Sequence, residues 1–345
     1  MSRKKNIALV AGGDSGEYVI SVESARMIKR NIDPARYNVY TILVKKGEWI
    51  CLPDNGQTLV VDKNDFSVLS DGQKVLFDCA FITIHGTPGE DGRLQGYFEL
   101  LGIPYTTSGL LPSALTFNKF FCNIVAAQFG MEVARSVKFS KSARIEASDV
   151  LSMVKLPVFV KPNKGGSSLG TTFVQDAPSL LPAIRLALEH DDEVFVEEFI
   201  RGTELTCGVF RQQGKVIALP VTEIISKTEA RFFDFKAKYT KGAADEITPA
   251  RISPGLTRQV KQATAMLYEK FEMKGLARMD YIYNEDKLYF LEINVTPGMA
   301  ETSIVPQQAA VEGISIRDLF SIVIEEAMAS GTAGQDPAFS DRVLP

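Results

Sequence analysis

The sequence predicts an α/β protein that opens with a parallel sheet and ends in strands paired as hairpins. Three stretches of its 345 residues carry that expectation. NIALVA (6–11) is a continuous apolar run, as in a parallel strand covered on both faces. Gly12 and Gly13 break the run. A helical period then starts near Ser21, with Ala25, Ile28 and Ile32 on one stripe. Far downstream, MDYIY and LYFLEIN flank a turn-type cluster at Asn284–Asp286, the pattern of an antiparallel hairpin. A chain of this length makes two or three domains with sizeable cores.

Composition narrows the class. A hydrophobic share of 45% and a charged share of 23% are those of an ordinary globular protein. The net charge of -4 supplies no basic field for nucleic acid. The first apolar run is too brief to span a membrane, and GGDSGE is a poor cleavage site, so the run reads as a buried strand. Cys51, Cys79, Cys122 and Cys207 form no C-x-x-C pair, which fits reduced core thiols in a cytoplasmic protein. Small molecules, not nucleic acid or membrane, are the expected partners.

Taken in order, the strand 6–11, its glycine turn, the helix and the strands NVYTILV (38–44) and AFITIH (80–85) have βαβ grammar. Ligands of such sheets sit at the carboxyl ends of the strands. Glu17 and Ser21 lie just past the first strand, although Glu17 is equally readable as a carboxylate at a helix start. His85 ends another strand and leads into the glycine-rich GTPGEDGRLQG; a structural histidine is the plainer alternative. His190, in EHDDE, reads as surface. A helix is predicted near 114–129, with Phe117, Phe121 and Ile124 on its apolar stripe, Lys119 on the other face and Gly130 as its stop.

VFVK (158–161), PNKGGSSLG (162–170) and TTFV (171–174) form strand, glycine loop and strand, followed by a helix opened by Asp176 and Pro178. That order is not the strand–loop–helix of a P-loop. Its backbone N–H groups could still wrap phosphate, with Lys161 and Lys164 adding charge and Ser167 and Ser168 adding hydroxyls. A flexible hairpin turn is the competing account. VFVEEFIRGTELTCGVF (194–210) is strand-rich, with Glu197 and Glu204 bracketing a turn at Arg201-Gly202, and VIALPVTEII continues as strand. Residues 226–255 show neither period, and so long a structureless stretch in a compact domain is most often a functional lid. It carries Lys236, Lys238, Tyr239 and Lys241, suited to covering a polyphosphate. A helix from Leu256 buries Val260, Ala263, Leu267 and Phe271, and a last helix spans about 315–329, with a frayed tail from Gly331.

Pairing across the Asn284–Asp286 turn places Asp280 opposite Glu292, and the period of two puts Glu292 and Asn294 on one face. With Arg278 beside them, these oxygen ligands suit Mg²⁺, which takes one or two carboxylates and completes its shell with water and phosphate. Alone, the same hairpin is as readily a solvated acidic face.

Six stretches together resemble one family: GGDSGEYVIS, HGTPGEDGRLQG, VKPNKGGSSLG, FFDFKAKY, ARMDYIY and LEINVTPGMAETS. They stand in the order of the ATP-grasp ligases, and within them of the D-alanine–D-alanine ligases, over nearly the whole chain. The resemblance implies three domains, 1–107, 108–201 and 202–345, with ATP clamped between the second and third and a lid at 226–250. It implies that ATP phosphorylates one D-alanine to an acyl phosphate, which the amine of a second D-alanine attacks. By the same resemblance Asp280, Glu292 and Asn294 hold two Mg²⁺ (or Mn²⁺) ions, and Arg278 stabilises the transferred phosphoryl. Lys119, Lys161 and Lys238 bind phosphate, while Glu197 and Glu204 contact the nucleoside. Glu17 receives the first D-alanine's ammonium, with Ser167 and Tyr239 as its hydrogen-bond partners, and His85 lies near that substrate. Ser303 and the Gly298 backbone hold the second D-alanine. A homodimer is expected.

The chain departs from many relatives at Tyr18-Val19-Ile20 and at AETS (300–303), beside the amino-acid sites, which leaves acceptor selectivity open. Two alternatives remain. One is a ligase that joins D-alanine to D-lactate or D-serine, with Tyr239 arguing against the lactate type. The other is a nucleotide-sensing binder without turnover, which would have no need of Arg278.

Overall fold

A computed structural model describes residues 3–54, 56–166, 169–226 and 244–332. The chain opens with a sheet made of β1 (Lys5–Gly12), β2 (Tyr37–Lys45), β3 (Glu48–Leu52), β4 (Leu59–Asp62), β5 (Ser67–Ser70), β6 (Gln73–Val75) and β7 (Cys79–Ile82), in the order β6-β5-β4-β3-β2-β1-β7. Helix α1 (Tyr18–Asn31) links β1 to β2, and α2 (Arg93–Leu101) follows β7. β2 and β7 both pair with β1 in parallel, one on each side. The carboxyl ends of β1 and β7 therefore meet at a switch point, where open α/β sheets bind ligands. Pairing from β2 outward through β6 is antiparallel. These outer strands are three to five residues long, too short for a period to declare them from sequence.

The predicted helix near 114–129 is two helices, α3 (Leu110–Phe117) and α4 (Lys119–Gln128), with extended Asn118 between them. The Asn118 side chain caps α4 by accepting from Phe121 N at 3.1 Å. The break resets the helical phase. Cys122 and Ala126 turn inward, while Phe121 and Ile124, expected on the apolar stripe, are 46% and 49% exposed.

A short β8 (Glu132–Val133) precedes the second sheet, which consists of β9 (Ser136–Ser140), β10 (Val158–Pro162), β11 (Thr172–Val174) and β12 (Glu193–Glu198), all antiparallel. Helices α5 (Ala147–Met153) and α6 (Ala177–Ala187) complete this layer and share a core with β10 and β12. As the sequence predicts, Asp176 caps α6, accepting from Ser179 N at 3.0 Å, and a proline stands in its first turn.

The third sheet gathers β13 (Thr203–Gln212), β14 (Lys215–Ala218), β15 (Thr222–Ser226), β16 (Ala244–Ile247), β17 (Ala277–Asn284) and β18 (Lys287–Asn294), with β8 at its edge beside β18. Helix α7 (Pro254–Lys270) covers one face with α4. Helices α8 (Ile304–Val311) and α9 (Ile316–Thr332) follow. α9 carries Phe320 against Phe81 of β7, ring centroids 5.6 Å apart, within a core shared by the first and third sheets. Among the described residues no helix is long and apolar enough to cross a membrane.

The β17–β18 hairpin turns through Glu285 and Asp286, both at positive φ, a two-residue turn of the kind that matches strand twist. Asp280 pairs with Glu292 as expected, but the register then slips so that Tyr281 faces Phe290. Leu291 is the extra residue of this bulge. Before it Leu288 and Phe290 are buried; after it Ile293 and Val295 are. The phase change turns Leu291, Glu292 and Asn294 away from the core.

Gly275, just before β17, fixes how the third sheet meets the first. Its φ is +63°, and an added Cβ would stand 2.0 Å from Thr106 O. Tyr268 Oη donates to Gly275 O at 2.7 Å, and Ser108 Oγ to Lys274 O at 2.9 Å. Gly275→Ala should therefore cost more than about 1 kcal/mol of stability. A urea midpoint equal to that of the parent chain would contradict this packing.

Candidate active site

The second and third sheets face each other across a cleft of about 1060 Å³, large enough for a nucleotide. Lys161 of β10 and Glu197 of β12 come from one wall, Glu204, Arg278, Asp280 and Glu292 from the other, and Lys119 from the start of α4. Phe159, Phe199, Ile224 and Ile282 give it apolar surface as well. Seven residues singled out from the sequence, scattered from 119 to 292, thus share one cavity.

Antiparallel pairing of β10 with β12 brings Lys161 and Glu197 into an ion pair. Burial pushes the Lys161 ammonium down, but Glu197, with Glu292 and Glu204 beyond it, outweighs burial and holds the lysine charged. Lys161 also lies over the Phe159 ring, 5.2 Å from its centroid. Lys119 reaches the glycine loop, its Nζ donating to Gly165 O. Asn163 stitches that loop to α4, accepting from Lys119 N through its carbonyl and from Phe120 N through its side chain, each at 3.0 Å.

On β17 the side chains of Arg278 and Asp280 share a face. Arg278 donates Nε to Asp280 Oδ1 at 2.9 Å and Nη2 to Oδ2 at 2.8 Å. Asn294 Nδ2 donates to Oδ2 at 3.2 Å, and Thr206 Oγ1 to Oδ1 at 2.5 Å. Burial alone would lower the Arg278 pKa; Asp280, with Glu292 and Glu246 beyond it, raises it instead. Among the described residues no three His, Cys, Asp or Glu side chains form a metal cage. Two carboxylates and an amide are instead the sparse oxygen set that Mg²⁺ takes when substrate phosphates complete its shell.

Glu17 and His85 stand outside the cleft, at the switch point of the first sheet. Gly166 of the glycine loop lies against Glu17, since an added Cβ there would be 3.1 Å from Glu17 Oε2. The loop therefore touches both the cleft and the first sheet. Ser15 Oγ donates to His85 O at 2.8 Å, and His85 is buried, its Nε2 without a hydrogen-bond partner among the described residues. Ser21 is a correction to the expectation of ligand access. It is fully buried, accepting from Gly12 N at 2.9 Å and donating to Thr83 O at 2.8 Å. His85 itself lies three residues beyond the end of β7 and not on the strand.

The turn after β18 brings Gly298 and Ser303 together, with Ser303 Oγ 3.0 Å from where a Gly298 Cβ would sit. Ser167, Lys238, Tyr239 and lid residues 227–243 lie outside the described residues. The ends of that segment, Ser226 and Ala244, are partners between β15 and β16, so the stretch 226–255 is not structureless throughout: Ala244–Ile247 is a strand.

Three groups escaped the sequence reading. Glu90 accepts from Thr296 Oγ1 with one oxygen and from Gly86 N, at 2.7 Å, with the other. It thereby ties the first sheet's histidine loop to the turn after Asn294. Burial pushes its carboxyl up, against the pull of His85 and of those two donors. Glu246 on β16 lies within electrostatic reach of Arg278; burial raises its carboxyl while Arg278 and Gln307 pull it down, with a net rise. Thr206 reaches Asp280 from the neighbouring strand. Glu90 lay inside a singled-out motif, HGTPGEDGRLQG, and Glu246 inside the expected lid at 226–250; the contacts of Thr206 and Glu246 depend on cross-strand register, which periodicity alone does not give.

Comparison with known proteins gives concordant results. The family model described as D-ala D-ala ligase N-terminus matches residues 6–108, and that described as D-ala D-ala ligase C-terminus matches residues 125–325. A D-alanine--D-alanine ligase of Parabacteroides distasonis is 48% identical over 326 residues, covering 94% of this chain and 98% of that protein. The solved VanG D-Ala:D-Ser ligase from Enterococcus faecalis superposes with a TM-score of 0.82 at 30% identity, over 94% of this chain and 100% of that one. The D-alanine-D-alanine ligase from Coxiella burnetii gives a TM-score of 0.85 at 26% identity, over 97% of each chain.

The Arg278–Asp280 pair generates a test of this geometry. Asp280 is 7% exposed, so removing its bidentate partner strands a buried carboxylate. Arg278→Met should lower the unfolding free energy by about 3 kcal/mol, read from urea transitions at pH 7. An unchanged transition would mean that water already screens the pair.

Proposed function

Because the chain belongs to the D-alanine–D-alanine ligase family, we propose that its cleft binds ATP and that the residues lining it activate a D-alanine carboxylate. The enzyme is an ATP-dependent ligase that joins two D-alanine molecules into D-alanyl-D-alanine, a dipeptide for cell-wall synthesis. Its residue roles, metal ions, lid and domain limits of 1–107, 108–201 and 202–345 are parts of the proposal.

The observation that supports these roles best is the meeting of three cations, Lys119, Lys161 and Arg278, with the Asp280–Glu292 pair in one cleft. A carboxylate and a γ-phosphate repel each other, so their reaction needs fixed positive charge where the phosphoryl passes. Lys119 and Lys161 would hold phosphate oxygens, while Glu197 and Glu204 would bond the nucleoside. Asp280, Glu292 and Asn294 would hold Mg²⁺ or Mn²⁺, which when bound supplies charge neutralisation of the phosphates. Arg278, charged at any working pH, would face the phosphoryl and then the tetrahedral oxygen of the second step.

The first D-alanine would sit between Glu17, which receives its ammonium, and the glycine loop with Ser167. A carboxylate oxygen attacks the γ-phosphorus, the bond from that phosphorus to the β,γ-bridging oxygen breaks, and ADP leaves. The second D-alanine, held by Ser303 and the Gly298 amide, attacks the acyl carbon through its amine and releases phosphate. Tyr239 and Lys238 on the lid would shield the acyl phosphate from water. A cytoplasmic location and a homodimer belong to the same reading.

Acceptor choice tests the proposal. A neutral phenol at Tyr239 adds no cation for a hydroxy acid bearing net negative charge, whereas a histidine could carry one near neutral pH. ATP-dependent phosphate release is expected with D-alanine, yielding dipeptide, and little ester is expected from D-lactate. Tyr239→His should raise ester over dipeptide as pH falls through roughly 6.5. Phosphate release that ignores D-alanine would reject the site assignment, and an unmoved product ratio would reject the role of Tyr239.

A further inference from the structure

β13 changes neighbours in mid-course. It pairs with β15 from Glu204 to Thr206 and with β14 from Val209 to Gln212. At the change, the carbonyl of Thr206 and the amide of Gly208 bond a side chain and not a neighbouring strand, while Gly208 O accepts from Leu219 N at 2.8 Å. Gln308 of α8, fully buried, fills the gap. Its Nε2 donates to Thr206 O at 3.0 Å, and its Oε1 accepts from Gly208 N at 2.9 Å. One side-chain amide thus stands where a strand's peptide would. Its remaining N–H goes to Thr222 Oγ1 at 2.9 Å, and Thr222 in turn is bonded to Thr248 Oγ1 at 2.6 Å.

The repaired segment lies directly across from the active-site arginine and aspartate. In the β13–β17 register Thr206 faces Asp280 and Gly208 faces Arg278. Thr206 is fully buried, where a bare hydroxyl is costly and valine would serve a strand equally well. Its hydroxyl bonds Asp280 Oδ1 at 2.5 Å and no backbone carbonyl. That bond comes from the sheet, on the side away from Asn294 and Glu292, and with the Arg278 fork it fixes the turn of the carboxylate about its own axis.

We propose that Thr206, locked by Gln308, is a positioning residue that holds the Asp280 carboxylate in the orientation that receives the metal-bound nucleotide. The assignment rests on the reading of Asp280 as a metal ligand. Groups that orient a ligand in this way are worth on the order of 10- to 100-fold in metal affinity. Thr206 touches neither substrate nor nucleotide, and its effect passes through Asp280.

The test is Mn²⁺ binding, followed by electron paramagnetic resonance in the presence of a non-hydrolysable ATP analogue. The proteins are the parent chain, Thr206→Val, Thr206→Ser and Asp280→Asn. Thr206→Val keeps shape and β propensity but loses the hydroxyl, and should weaken Mn²⁺ binding about 10-fold. Thr206→Ser keeps the hydroxyl and should bind within about 3-fold of the parent. Thermal unfolding of each variant separates this effect from loss of fold. In steady state, Thr206→Val should need more Mg²⁺ for half-maximal phosphate release while its KM for D-alanine stays put. If Asp280→Asn loses Mn²⁺ but Thr206→Val binds as the parent does, the positioning role is overturned and the ligand reading survives. Equal weakening in Thr206→Val and Thr206→Ser overturns it as well. If Asp280→Asn binds Mn²⁺ normally, the ligand reading falls, and this proposal with it.

Discussion

The carboxylate of Asp280 accepts hydrogen bonds from three strands, and the site is organised by that convergence. Arg278 comes from its own strand, Thr206 from β13 and Asn294 from β18. A buried carboxylate with fewer donors would be several kcal/mol less favourable. Satisfying it therefore fixes the register of three neighbouring strands together. That register sets Glu292 opposite Asp280 and aims both into the cleft. The bulge at Leu291 lets β18 keep a buried face while its last residues leave the core. The opposite wall answers with Lys161, held charged by the carboxylates around it. Attraction across the cleft is thus built before any ligand arrives.

The first sheet is brought to this site by packing and by hydrogen bonds. Phe81 and Phe320 join its core to the third sheet, and Glu90 joins its histidine loop to Thr296, two residues beyond Asn294. The glycine loop closes the third side, with Gly166 against Glu17 and Gly165 receiving Lys119. A single loop thereby senses both the carboxylate expected to hold an amino acid and the lysine expected to hold phosphate. An added Cβ at Gly166 would crowd the Glu17 carboxylate, 3.1 Å from its Oε2.

Sequence reading succeeded where a signal is local. NIALVA, its glycine turn and the following helix are β1, the turn and α1, because apolar period and breaker residues sit within a few residues of one another. The Asp280–Glu292 pairing was legible because a short turn transmits register from one strand to the next. It failed where structure depends on distant partners. The four strands β3 to β6 are too short to show a period, and the break at Asn118 looks in sequence like any polar helix position. Gln308 reads as an ordinary helical glutamine until β13 is seen to change neighbours beside it. Glu90 sat inside a recognised motif, yet its partner Thr296 is some two hundred residues away. The site roles came from the family resemblance, and the structure lines one cleft with Lys119, Lys161, Glu197, Glu204, Arg278, Asp280 and Glu292.

On the proposed function, this cleft drives attack of a D-alanine carboxylate oxygen on ATP. The most direct measurement is oxygen transfer. D-alanine labelled with ¹⁸O in both carboxylate oxygens is turned over with ATP, and the phosphate and dipeptide are examined by mass spectrometry. Activation through an acyl phosphate breaks the bond between the carboxyl carbon and one labelled oxygen. Each phosphate released should therefore carry one ¹⁸O, and the new peptide carbonyl should retain the other. Unlabelled phosphate formed alongside dipeptide would contradict the account, because ATP would then have been cleaved without passing its phosphoryl group to the substrate.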